Sequence, residues 1–154
     1  MNRIFYCVVI LGFALAISAN SAPTAKTDPL TGLPRYPATS NRIDPGDPVK
    51  LPEATICKSK MQTDFYSVYD AKVDATLAWC VAHLQGFKQT HSYADGRSQD
   101  AFYKPDGTVL VSVTGNRAKE GENAPTYSIS YQKFTPGLAE KTIVAMKDRK
   151  VVCP

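Results

Sequence analysis

The sequence predicts an α+β domain: one main helix packed on a four- to five-stranded, mostly antiparallel sheet, behind a disordered proline-rich leader. Three observations lead there. Val73, Leu77, Cys80 and Leu84 recur at spacings of four, three and four, the stripe of an amphipathic helix. Beyond Gly86 the pattern changes to a period of two, which marks strands with one buried face. Residues 23–53 show neither period.

Residues 1–22, MNRIFYCVVILGFALAISANSA, read as a secretory signal peptide. Arg3 supplies the positive start, Ile4 to Ile17 form an uncharged apolar run, and small residues follow. Cleavage is expected after Ala19 or Ala22. The run is short for a membrane span, and no second one follows, so no stable membrane insertion is expected after cleavage. The protein is therefore expected to be secreted or periplasmic.

Residues 23–53 carry seven of the eleven prolines. Each removes a backbone donor and restricts its predecessor, so this stretch reads as an extended, disordered linker. Residues 54–154 are expected to form the single globular domain. DFYSVYD, at 64–70, is rich in aromatic and β-branched residues and reads as a strand. Asp70 suits a helix N-cap, residues 71–85 form the helix, and Gly86 suits its termination. Strands are then expected in FKQTHSY, QDAFY, TVLVSVTG and TYSISYQKF, with turns at ADG and KPDG and a polar loop at NRAKEGENAP. The last two are expected to pair antiparallel. LAEKTIVAMKD reads as a short helix, although a strand is an alternative. The closing VVC is expected to return toward Cys57.

Without residues 1–22, 17 Lys and Arg face 14 Asp and Glu, since Arg3 alone is lost. The basic residues are scattered among acids, which argues against nucleic acid as a partner. Three cysteines remain, Cys57, Cys80 and Cys153, so at most one internal bridge forms. Cys57 and Cys153 bracket the domain and are the expected pair. Cys80 falls within the helix stripe, as a small buried apolar group. No cysteine or histidine spacing suggests a metal, and no cofactor motif is present.

The run FYSVYDAKVDATLAWCVAHLQGFK resembles one βαβββ module of the glyoxalase, or vicinal-oxygen-chelate, kind, and also small exported bacterial domains of similar layout. Asp70, Trp79, Leu84, Gly86 and Phe87 carry the resemblance over residues 64 to about 134. It implies a helix on a curved sheet. Enzymes of that kind use two modules and a metal held by His, Glu or Gln on the strands. Here the first strand has none of these, and the valine and tyrosine strands offer only Gln132, so no metal ligands carry over.

The candidate acid–base residues are His83 and His91. His83 is expected to pack beside Trp79 and Thr76, and His91 shares a strand face with Phe87 and Tyr93. A secreted hydrolase or nuclease would need them with a cation such as Arg97 and an acid such as Asp95. A Cys80/His83 nucleophile pair is weighed against burial of the thiol. The leading expectation is non-catalytic: a binding or structural role through a sheet face left open by the single helix. Tyr127, Tyr131 and Tyr93 are the expected contacts to an unidentified protein or small molecule. A homodimer binding a small ligand between two modules is a further alternative.

Overall fold

The computed structural model describes residues 26–37, 48–68, 73–94, 97–115, 127–146 and 151–154. The expected signal peptide, the Asp70 cap, the heart of the ADG turn and the 116–125 loop lie outside them. Six strands form one antiparallel sheet: β1 (Val49–Ile56), β2 (Ser59–Val68), β3 (Lys88–Ala94), β4 (Arg97–Tyr103), β5 (Val109–Gly115) and β6 (Tyr127–Thr135). Their order across the sheet is β1-β2-β6-β5-β4-β3. Two helices accompany it, α1 (Val73–His83) and α2 (Glu140–Met146).

The α+β class stands. Among the described residues the strand count is corrected to six, because β1 and its hairpin with β2 have no turn signal in sequence, and α2, within LAEKTIVAMKD, is the short helix expected there beside the main one. Their connection is Cys57–Lys58, and both residues have positive φ, 48° and 70°. Asn-Gly or Asp-Gly usually fills such a turn. Here the turn is tied instead through Cys57, whose sulfur lies at bonding distance from that of Cys153, with Cα atoms 5.2 Å apart.

Among the described residues, two parts of the expected linker are ordered. Val49–Pro52 are already in β1, and residues 26–37 lie on the sheet. Asp28 and Tyr36 are buried, and Leu33 packs on the core. The physical reason is pairing rather than periodicity. Tyr66 donates from its hydroxyl to Asp28 Oδ1 at 2.9 Å, and Tyr131 donates to the Pro34 carbonyl at 3.0 Å. Tyr36 meets Trp79 edge-on at 5.4 Å.

Chain alternation divides the sheet into two faces. One carries Tyr66, Val68, Phe102, Val111, Val113, Tyr127, Ile129 and Tyr131, and α1 covers it. Cys80 and Leu84 are buried there, while Val73 and Leu77 are half-buried against the same cluster, as the stripe requires. Each fully buried aliphatic side chain contributes about 1.5–3 kcal/mol. Gly86, at φ +78°, ends the helix in the left-handed region that favours glycine. Thr76 is buried among these apolar groups and forms a hydrogen bond with the Tyr127 hydroxyl.

The opposite face is apolar at one end only. Tyr103, Leu110, Phe134, Leu138 and Ile143 cluster there, with Met61, Met146, Ile56 and Cys57 at the margin. The KPDG turn holds α2 at this end. Gly107 accepts a hydrogen bond from Leu138 N at 3.0 Å, and a Cβ on Gly107 would collide with the Leu138 backbone. Glu140, at the start of α2, accepts from Lys88 Nζ at 2.8 Å and from the Tyr103 hydroxyl at 2.9 Å. The sequence expectation of a single helix layer is thus corrected: α1 and α2 sit on opposite faces. Among the described residues no helix is long and apolar enough to cross a bilayer.

Candidate functional site

The residues beyond α2 on its own face are almost all uncharged and polar. Register places them in two rows. Ser67, Ser128, Thr114, Gln99 and Ser92 are successive cross-strand partners from β2 to β3. Phe65, Ser130, Ser112, Ala101 and Thr90 form the next row. A third row, Thr63, Gln132, Leu110, Tyr103 and Lys88, marks the passage to the apolar end.

A depression of about 110 Å³ lies over these rows. Its polar lining is Thr90, Ser92, Gln99, Ser112, Thr114, Ser130 and Gln132, and its apolar lining is Ala101, Leu110, Ile143 and Met146. Among the described residues of this lining no side chain titrates, so its hydrogen bonding is set by hydroxyls and carboxamides. Two of its buried polar atoms, Ser92 Oγ and Gln132 Oε1, have no hydrogen-bond partner. A buried polar atom without a partner costs about 1–3 kcal/mol. The depression therefore has hydrogen-bonding capacity that the fold does not use. Gln132 Oε1 accepts only, so it calls for a donor, while a serine hydroxyl serves either way.

The residues singled out from sequence fall elsewhere. Tyr127 and Tyr131 are 0% and 1% exposed, under α1. Their burial removes them from any accessible recognition face, which corrects the expectation that they contact a partner. Burial pushes the hydroxyls of Tyr66 and Tyr131 above the ordinary tyrosine value and that of Tyr127 up to about 12. The side chain of Tyr93 lies outside the described residues. The face expected to be open is the one with serines and threonines, not tyrosines.

His83 is exposed, stacks on Trp79 with ring centroids 4.3 Å apart, and places Nδ1 2.8 Å from the Trp79 carbonyl. His91 is also exposed, with Nδ1 3.1 Å from Oδ2 of the buried Asp100. Gln89 donates to the other Asp100 oxygen at 3.2 Å. Neither histidine lines the hydroxyl-rich depression. Cys80 is a free, fully buried thiol, pushed up to about 12 by burial and then by Asp100. It keeps its proton, so the Cys80/His83 pair has no thiolate to act with.

Sequence reasoning missed the depression, although its signal was present. Ser112 alternates with Val111 and Val113, and Ser128, Ser130 and Gln132 alternate with Tyr127, Ile129 and Tyr131. The larger side chains drew the functional reading to the wrong parity. Among the described residues no group of three or more His, Cys, Asp and Glu is arranged to hold a metal ion. Comparison with family profiles, with curated proteins and with solved structures found no match.

Proposed function

We propose that the protein is an exported, non-catalytic binding domain that takes a small neutral polyhydroxylated ligand, a sugar in class, into the depression beyond α2. The observation that carries this reading is the pair of buried, unpartnered atoms, Ser92 Oγ and Gln132 Oε1, on residues of a lining in which no described side chain is charged. Hydroxyl and amide groups exchange donor and acceptor roles with sugar hydroxyls at little desolvation cost relative to charges. Ile143, Met146 and Leu110 offer apolar surface to the C–H side of a ring. The volume, about 110 Å³, suits one ring and not an extended chain.

The test is titration of neutral monosaccharides followed by amide NMR shifts. Saturable shifts confined to Ser92, Ser112, Ser130, Gln132 and their neighbours are expected. Binding should stay flat between about pH 5 and 8, since no titrating group lines the site. Saturation by charged ligands alone, or shifts centred on α1, would overturn the reading.

A second reading, a histidine hydrolase, draws on the His91–Asp100 pair. A buried carboxylate that holds an imidazole is the orienting half of an acid–base device. Replacing His91 or His83 by alanine separates the two. Sugar binding is expected to survive both changes, whereas hydrolysis would be lost with His91.

A further inference from the structure

A second cleft, about 320 Å³, lies at the β1–β2 edge of the sheet, lined also by residues 29–30 of the leader. The β1–β2 register shifts between Leu51 and Ala54, so the strand pair parts locally at Pro52–Glu53. Two buried carboxyls stand at this junction, Asp28 and Asp64, 0% and 3% exposed.

They differ in one respect. Asp28 is saturated: Oδ2 accepts from Thr31 N at 2.8 Å and from the Thr31 hydroxyl at 2.6 Å, and Oδ1 accepts from Tyr66. Asp64 lines the cleft, and its Oδ2 is buried without a partner. Lys50, its cross-strand neighbour, lines the same cleft but makes no ion pair with it. Gln62 and Glu53, the latter 3.5 Å from Lys60 Nζ through Oε1, supply further acceptors, and Pro29, Leu30 and Leu51 supply apolar wall.

We infer that this cleft binds a small alkylammonium ion, its head on Asp64 and its carbon chain along Pro29, Leu30 and Leu51. An ammonium group has three N–H donors and no acceptor, which matches a carboxylate oxygen in need of a donor beside a second carboxylate and a carboxamide. A metal ion would need a denser set of carboxylate or imidazole ligands than the described residues gather here. Burial, followed by the charge of Asp28, holds the Asp64 carboxyl above its ordinary range. An arriving cation reverses that balance, so binding releases a proton from the fraction of Asp64 that carries one.

The experiment titrates n-butylammonium chloride into the purified protein by calorimetry, in two buffers of different ionisation enthalpy near pH 6. Saturable one-to-one binding is expected, with no binding of n-butanol. Asp64→Asn should weaken it about tenfold or more, because the charge-assisted hydrogen bond is lost. Lys50→Met, on the exposed strand and independent of the folding of the first variant, should strengthen it by removing the competing cation. Absence of saturation, equal binding of butanol, unchanged affinity in Asp64→Asn, or displacement by equimolar calcium chloride would each overturn the inference.

Discussion

The two faces of the sheet are built from the same strands and by the same alternation, yet they solve their polar groups differently. Under α1, the three buried tyrosines of the strands bring hydroxyls into the core, and each finds a partner: Tyr66 on Asp28, Tyr127 on Thr76 and Tyr131 on the Pro34 carbonyl. Under and beyond α2, small hydroxyls and amides are brought in, and Ser92 and Gln132 are left with unpartnered atoms. The tyrosine hydroxyls of the first face are all satisfied, and among its described residues Asp64 Oδ2, at the β1–β2 edge, is the exception. The second keeps unused capacity next to a void. Bulk and polarity point in opposite directions here: the large aromatic residues are structural, and the plain serines and glutamines are the candidates for recognition.

The largest expected effect tests what joins the faces. The Cys57–Cys153 link closes a separation of 96 residues across the hairpin turn and the C-terminal tail. Replacing both by serine should cost about 4 kcal/mol in the loop-entropy account, read as a lower midpoint in urea. Thr142 donates from its hydroxyl to the Val152 carbonyl at 2.7 Å, so the tail has a second tie, and the α2 side should loosen before the α1 side does. Hydrogen exchange that instead opened α1 first would reverse this order.

Next comes a pair of changes on neighbouring positions of β6. Ile129→Ala removes a side chain 2% exposed and should cost about 3 kcal/mol. Ser130→Ala, one residue away on the other face, should change stability by no more than about 0.5 kcal/mol. Equal costs would mean that the second face is as tightly packed as the first.

Much of the fold was legible because it rests on periodicity. The stripe from Val73 to Leu84 and the alternation in TVLVSVTG and TYSISYQKF each declare a buried side, and both the α1 side and the β5–β6 pairing follow. The β1–β2 hairpin was illegible because Cys57 and Lys58 take up positive φ without glycine or asparagine. The docking of residues 26–37 was illegible because single tertiary contacts hold it, such as Asp28 with Tyr66, separated by 38 positions. Proline content describes what a segment does not form and says nothing about what it rests on. The candidate site was half legible: the parity of Ser130 and Gln132 was plain, but where α2 would stop covering that face was not.

A smaller effect sharpens the comparison at the orphan atoms themselves. Gln132→Leu removes a buried, unpartnered acceptor and should raise stability by about 1 kcal/mol. The same change should abolish sugar binding. Ser92→Ala should act in the same direction on both measurements, more weakly. A loss of stability in Gln132→Leu would show that the amide is already satisfied and that the two faces are alike.

The smallest effect concerns Asp64, a carboxyl on the α1 side whose Oδ2 is buried without a partner. Asp64 is raised from an ordinary value of 3.8, by burial first and by Asp28 second, with Lys50 and a Leu30 backbone hydrogen bond opposing. A carboxyl raised on folding favours the native state while it is protonated in both states, below its unfolded value. That contribution fades as pH climbs through the raised native value. Exposed Asp106 and Glu140 are shifted downward by their hydrogen bonds and act in the opposite sense, so the whole-protein profile mixes both. The difference between wild type and Asp64→Asn isolates the buried group. Melting temperatures measured from pH 4 to pH 8 should show the wild-type advantage over Asp64→Asn shrinking as pH rises. An advantage that grew instead would mean Asp64 is ionised and well partnered in the fold, and the α1 side would then hold no vacancy at all.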